Sequence, residues 1–128
     1  MADASYPDDL LYHPDHDWVR IEGDTGTFGI TWFAQDALGE VVFFDPPEVG
    51  STVTKDESYA EVESVKAVSD VIAPLSGEIV DVNTALGDKP EAINDDPYGD
   101  GWMVRVRLSD PSEREVLLDA SSYEKSLQ

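Results

Sequence analysis

Lys66 stands in the run Val62-Glu63-Ser64-Val65-Lys66-Ala67-Val68-Ser69-Asp70. Apolar residues alternate with polar ones on either side of it, which places the lysine at the bend of a β-hairpin. An amine displayed on a protruding bend is open to covalent modification, and small or apolar neighbours (Ser64, Val65, Ala67) leave room for a modifying enzyme. The other residues suited to chemistry form weaker patterns. His13 and His16 lie among Asp15 and Asp17, but a metal site needs a further clustered ligand, and none is assigned. His16 is read as packing or hydrogen bonding beside Trp18. There is no cysteine, hence no disulfide framework, thiolate site or cysteine nucleophile. No catalytic residue is assigned.

The elements that must hold this lysine are short. Trp18-Val19-Arg20-Ile21 and Thr27-Phe28-Gly29-Ile30 flank a Gly/Asp cluster at 23–26 and read as a hairpin. Thr31 caps a helix over Trp32 to Leu38 that Gly39 ends. Strands follow at Glu40 to Phe44, Tyr59 to Glu63, Ala67 to Ile72, Gly77 to Val82 and Trp102 to Leu108. Asp88 is a cap for a helical turn over Pro90 to Ile93, and Asn94 to Gly101 is loop. Ser112-Glu113-Arg114-Glu115 reads as a capping box with helix to Leu118, and Asp119 starts a second helix through Leu127. Residues 1–14, with Pro7 and Pro14, read as an irregular arm, and 111–127 as a C-terminal helical segment of one 128-residue domain. Trp32, Phe33, Phe43 and Phe44 are assigned to the core. The pattern predicts a mainly β chain, a compact sandwich or barrel with peripheral helices. Gly50-Ser51-Thr52-Val53 begins 16 residues before Lys66 and Gly77-Glu78-Ile79-Val80 begins 11 after it. These two Gly-then-strand units suggest quasi-symmetric halves joined at the hairpin.

Charge narrows the partners. With 28 acidic and 8 basic residues the formal net charge is −20. Nucleic acid and anionic membrane surfaces are poor partners for such a chain. The acidic residues run along the whole sequence, which points to a salt-rich cytoplasm. At about 1 M salt the Debye length falls to about 3 Å, and self-repulsion is screened. No apolar run approaches the roughly 20 residues that span a bilayer, and the N-terminus has no signal-peptide pattern.

Several ordered motifs resemble the glycine cleavage H-protein family over about residues 11 to 125. They are His16-Asp17-Trp18-Val19, Gly29-Ile30-Thr31, Ala34-Gln35-Asp36, Leu38-Gly39-Glu40-Val41-Val42, Pro47-Glu48-Val49-Gly50 and Glu63-Ser64-Val65-Lys66-Ala67 with Ser69-Asp70. Pro74-Leu75-Ser76-Gly77-Glu78, Val82-Asn83 with Leu86, Pro90, Asn94, Pro97-Tyr98-Gly99 and Gly101-Trp102 complete the series. The resemblance implies a lipoyl-type barrel-sandwich hybrid of two small antiparallel sheets, with lipoate in amide linkage on Lys66. It implies a non-catalytic carrier visited in turn by a pyridoxal-phosphate glycine decarboxylase, a tetrahydrofolate-dependent aminomethyltransferase and a flavin-dependent dihydrolipoyl dehydrogenase. A lipoylating enzyme loads the lysine, and Glu63 is a candidate guide for it. Asp17 and Asp70 match acidic family positions near a cleft for the loaded arm. Asp17 stands where glutamate is usual, one methylene shorter. In Asp45-Pro46-Pro47-Glu48 a proline replaces the usual leucine, which predicts a local change in that loop. The role implies a cytoplasmic, monomeric carrier.

Three other readings share parts of this pattern. A lipoyl domain of a 2-oxo acid dehydrogenase has the hairpin lysine, but commonly with Asp where Val65 stands, and it lacks the Trp18 hairpin and the segment at 97–102. A biotin carrier places methionines where Val65 and Ala67 stand. An H-type protein that relays lipoate to other acceptors would use the same lysine, while a plain acidic interaction module would leave it unmodified.

Overall fold

In chain order the elements are β1 (Leu11–His13), β2 (Asp17–Glu22), β3 (Thr25–Ile30), α1 (Trp32–Leu38), β4 (Val41–Asp45), β5 (Thr52–Val53) and β6 (Ser58–Ser64), then β7 (Val68–Ile72), β8 (Gly77–Val82), α2 (Ala92–Asp95), β9 (Val104–Leu108) and α3 (Ala120–Ser126). Short 3-10 turns lie at Thr84–Gly87 and Pro111–Val116. This computed structural model describes residues 6–127. One sheet runs β1-β2-β3-β9-β8-β5 and the other β4-β6-β7. All pairings are antiparallel. The core lies between the sheets and includes Val19, Phe28, Val41, Phe44, Val62, Val71, Leu75, Ile79 and Val106.

The period of two along β2 explains a second core. Val19 faces the main core, whereas Trp18 points to the opposite side, among Leu10, Tyr12, Ala120 and Tyr123. Both faces of β2 are therefore covered, one by the second sheet and one by α3. The indole of Trp18 lies across the facing strand at Gly29, its register partner. A Cβ at Gly29 would sit 2.6 Å from the ring, so only glycine admits the tryptophan there. Trp18 Nε1 donates to the Pro97 carbonyl at 2.9 Å, which satisfies the one polar atom of a fully buried ring.

The two Gly-led units that bracket Lys66 in sequence pair directly: Thr52 faces Glu78 and Val53 faces Gly77. The hairpin β6–β7, between them in sequence, belongs to the other sheet.

Four local expectations change. Residues 1–5 of the expected arm lie outside the described residues, but Leu11–His13 form a strand, registered on Asp17 to Val19. Tyr12 is buried and Leu118 bonds it in both directions at 2.8 Å, so packing fixes a segment whose prolines suggest irregularity. The C-terminal segment is not continuously helical: Leu117 is extended and Leu118 bridges to Tyr12. Its expected capping box does not close, because Asp110 caps the turn through Ser112 N–H. Glu113 instead accepts from Ser76 N and Oγ, both at 2.8 Å. Finally, Asn94 belongs to α2 rather than a loop, and the helical turn nearer Asp88 starts earlier, at Thr84.

Candidate functional site

The β6–β7 bend is a four-residue tip, Ser64 to Ala67, closed by Ser64 N–H donating to the Ala67 carbonyl at 2.7 Å. Ser64 is buried, and its hydroxyl does most of the bracing. Oγ accepts from Lys66 N at 3.2 Å and Ala67 N at 3.1 Å, and donates to the Ala67 carbonyl at 3.2 Å. Val65 N–H reaches across to the Glu40 carbonyl at 3.0 Å. The tip is thus tied both to itself and to the α1–β4 connection. Glu63, Val65, Lys66, Ala67 and Asp70 are all exposed.

Lys66 forms no ion pair among the described residues. Its stem passes over Gly39, where an added Cβ would lie 3.3 Å from Lys66 Cε. Gly39 has φ 85°, a left-handed conformation that glycine adopts without strain. One residue therefore ends α1 and clears the path of the lysine.

A buried amide holds this connection. Asn94 Oδ1 accepts from Val41 N at 2.8 Å, while Nδ2 donates to Gln35 Oε1 at 3.0 Å and the Gly39 carbonyl at 2.9 Å. Gln35 is fully buried and donates to the Trp32 carbonyl at 3.1 Å. The chain of bonds from Asn94 through Gly39 and Glu40 to Val65 fixes where the lysine stands. Asn94 was legible only as one of the residues in the resemblance; nothing in its local sequence marks it as a support.

Beside the tip opens a cleft of about 370 Å³, lined by Asp15, His16, Asp17, Ile30, Phe33, Leu38, Val62 and the strand residues 67–71. Asp17 and Asp70, far apart in sequence, line the same cleft. Asp17 is buried, and its Oδ2 has no hydrogen-bond partner among the described residues. Desolvation, with a smaller push from Asp15, raises its carboxyl well above the usual carboxylate range. Asp70 is open to solvent at the rim. Glu63 does not line the cleft; it lies on the outer face of β6.

His16 packs and hydrogen-bonds as expected, with Phe33 and Tyr123 as its partners. Its Nδ1 is 2.8 Å from the Tyr123 hydroxyl, and its ring packs on Phe33 with centroids 4.6 Å apart. Burial lowers its pKa, against an opposing pull from Asp15. The same Tyr123 hydroxyl bonds Thr31 Oγ1 at 2.8 Å, and Thr31 caps α1 through Ala34 N. Tyr123 therefore braces the cleft wall from behind. The apolar spacing of Ala120 and Tyr123 on α3, with Leu127 just beyond its end, marks the buried side of the helix but not the partners of the Tyr123 hydroxyl. Of the aromatics expected in the core, Phe33 lines the cleft and Phe43 points to solvent from β4 instead of joining it. His13, to which no role was assigned, is buried: Nδ1 accepts from Asp15 N at 3.0 Å and Nε2 bonds Asp56 at 2.6 Å. Among the described residues no three His, Asp or Glu side chains could together hold a metal ion.

Two antiparallel sheets closing on one core, with an unpaired lysine on a braced hairpin, define a lipoyl-type barrel-sandwich carrier domain. The model of the family described as glycine cleavage H-protein matches residues 10–128. The chain is 53% identical over 121 residues to the glycine cleavage system H protein of Symbiobacterium thermophilum, covering 94% of each. It is 54% identical over 123 residues to that of Halorhodospira halophila, covering 95% of each. It superposes on the crystal structure of a glycine cleavage system H protein from Mycobacterium marinum with TM-score 0.87 and 47% identity, over 94% of this chain and 98% of that one. The chain belongs to the glycine cleavage H-protein family, the carrier component of the glycine cleavage system.

Proposed function

We propose that Lys66 carries lipoate in amide linkage, and that the chain shuttles an aminomethyl group from glycine decarboxylase to the tetrahydrofolate-dependent aminomethyltransferase and electrons to dihydrolipoyl dehydrogenase. The observation that carries this reading is an unpaired, exposed lysine on a braced tip, beside a cleft with a partnerless buried carboxylate. When bound, lipoate supplies a disulfide that is reduced as it accepts the one-carbon unit; the protein contributes position and shelter, not a nucleophile or base.

The residues present suit such an arm. Ile30, Phe33, Leu38 and Val62 give the cleft an apolar wall for a hydrocarbon chain. Asp17 Oδ2, buried and without a donor, suits a cationic amine, which would give that oxygen its missing hydrogen bond. Asp70 offers a second carboxylate at the rim. Ser64 and Asn94 hold the tip rigid, so that motion is confined to the arm. Tethering raises the concentration of the carried group near a docked enzyme. Glu63, three residues before Lys66, is presented outward for the lipoylating enzyme. The carrier works in the cytoplasm as a monomer and engages each enzyme transiently.

Reconstitution tests this reading. Glycine decarboxylation coupled to the aminomethyltransferase and dehydrogenase is to proceed with the lipoylated wild type and stop with Lys66→Ala, which keeps its fold because the side chain is exposed. Transfer supported by Lys66→Ala would reject the arm mechanism. Full lipoylation without decarboxylase turnover would favour a lipoate relay instead.

A further inference from the structure

The outer face of the three-stranded sheet is unlike the rest of the surface. Phe43, Glu63 and Val68 lie in one register row across β4, β6 and β7, all pointing to solvent. Phe43 is 52% exposed and Val68 61%. At the adjoining tip and the β4 bulge, Val65 is 66% and Val42 44% exposed. The next row on the same face is Asp45, Glu61 and Asp70, three carboxylates directly opposite one another. Like charges in that arrangement destabilise a sheet.

The six-stranded sheet handles its charges differently. There the exposed Asp81 faces Arg105 at 2.9 Å and Glu78 faces Arg107 at 3.4 Å, each a cross-strand pair. β4, β6 and β7 contain no lysine, arginine or histidine. Their carboxylate row has no internal counter-charge, and it lies beside an apolar row a few residues from the modified lysine.

We propose that this face is the docking surface for glycine decarboxylase, the enzyme that places the aminomethyl group on the arm, and that it fits a protein surface pairing an apolar recess with a row of Arg or Lys. Phe43 fills the recess with Val68, which also lines the mouth of the cleft, and Asp45 and Glu61 meet the cations, which relieves the repulsion within the row and leaves Asp70 at the cleft rim for the arm. The inference rests on the carrier reading of Lys66. The two rows respond oppositely to salt. The charged contact weakens as ionic strength rises, whereas the apolar contact persists.

The test is the KM of glycine decarboxylase for fully lipoylated carrier in glycine–bicarbonate exchange, at high salt and at the lowest salt at which the carrier keeps its folded circular dichroism signal. Phe43→Ser is expected to raise KM about tenfold at both salt levels, the scale of an aromatic anchor lost from an interface. Asp45→Asn/Glu61→Gln is expected to raise it about threefold at low salt only. Both variants keep kcat at saturating carrier, and Glu22→Gln, an acidic change on the other sheet, matches wild type. Near-UV circular dichroism identical to wild type establishes that the variants are folded. Wild-type KM in both variants, with an active wild-type carrier, overturns the docking face alone. A lipoylated wild type that supports no exchange overturns the carrier reading and this inference with it.

Discussion

The buried hydroxyl of Ser64 accepts the backbone N–H of Lys66 at 3.2 Å, so the residue two places before the lysine sets the lysine's direction. The same oxygen holds Ala67 N–H and the Ala67 carbonyl. The tip is fixed by a side chain inside the hairpin rather than by a special turn residue.

Replacing Ser64 with alanine removes all three bonds while leaving Lys66 chemically intact. The cost in stability is about 1 kcal/mol, because the freed backbone groups at an exposed tip regain water. The larger effect is on presentation. The rate of lipoylation of Ser64→Ala should fall while the final extent is unchanged, as intact-mass time courses would record. A rate equal to wild type would show that the brace is dispensable.

Asn94→Ala strips partners from Val41 N–H, the Gln35 side chain and the Gly39 carbonyl. Each buried group left unsatisfied costs about 1–3 kcal/mol. Urea unfolding should register a large destabilisation. Hydrogen exchange should rise first at Val41 and Val65, the two amides linked through the α1–β4 connection. Uniform loss of protection across the sheets would contradict that chain of positioning.

Asp17 governs a pH dependence whose sign is fixed by its environment. Burial raises its carboxyl above the unfolded-state value. Its contribution to stability is therefore fully present below the unfolded carboxylate range and is lost as pH rises toward the folded value. Asp17→Asn should gain on wild type in urea midpoint as pH rises from acid to neutral. Parallel midpoints at all pH values would exclude the shift. The same variant loses the charged partner for an amine, and hydrogen bonds to charged groups are worth about 1.5–3 kcal/mol. The aminomethylated arm should then release its group at least about tenfold faster.

The formal charge of −20 on 128 residues predicts dependence on salt. Among the described ion pairs only a few basic groups offset it: Lys55 with Asp56, Arg105 with Asp81, Arg107 with Glu78. Dialysis into dilute buffer should reduce the β-sheet circular dichroism signal, and restored salt should recover it. An unchanged spectrum would argue against adaptation to a salt-rich cytoplasm.

What the sequence made legible follows one physical rule. Wherever a strand buries one face, alternation marks it, as in Tyr59 to Glu63 and in the hairpin that displays Lys66. Thr31 and Gly39 bracket α1 because caps are local chemistry. The Leu11–His13 strand escaped because neighbours cover Tyr12 and His13, so no polar residue alternates. Asn94 and Tyr123 escaped for another reason. Their partners lie 53 to 107 residues away in sequence, and no local pattern encodes a long-range hydrogen bond. Asp17 and Asp70 were paired by resemblance, and the cleft brings both to its lining. The burial that makes Asp17 distinctive could not be read among 17 aspartates.

The central claim is that Lys66 bears the arm. Peptide-level mass spectrometry of the protein purified from its native source tests it most directly. A lipoyl group in amide linkage is expected on the peptide containing Lys66, and none on peptides containing Lys55, Lys89 or Lys125. A Lys66 peptide that is wholly unmodified in protein taken from cells degrading glycine would contradict it.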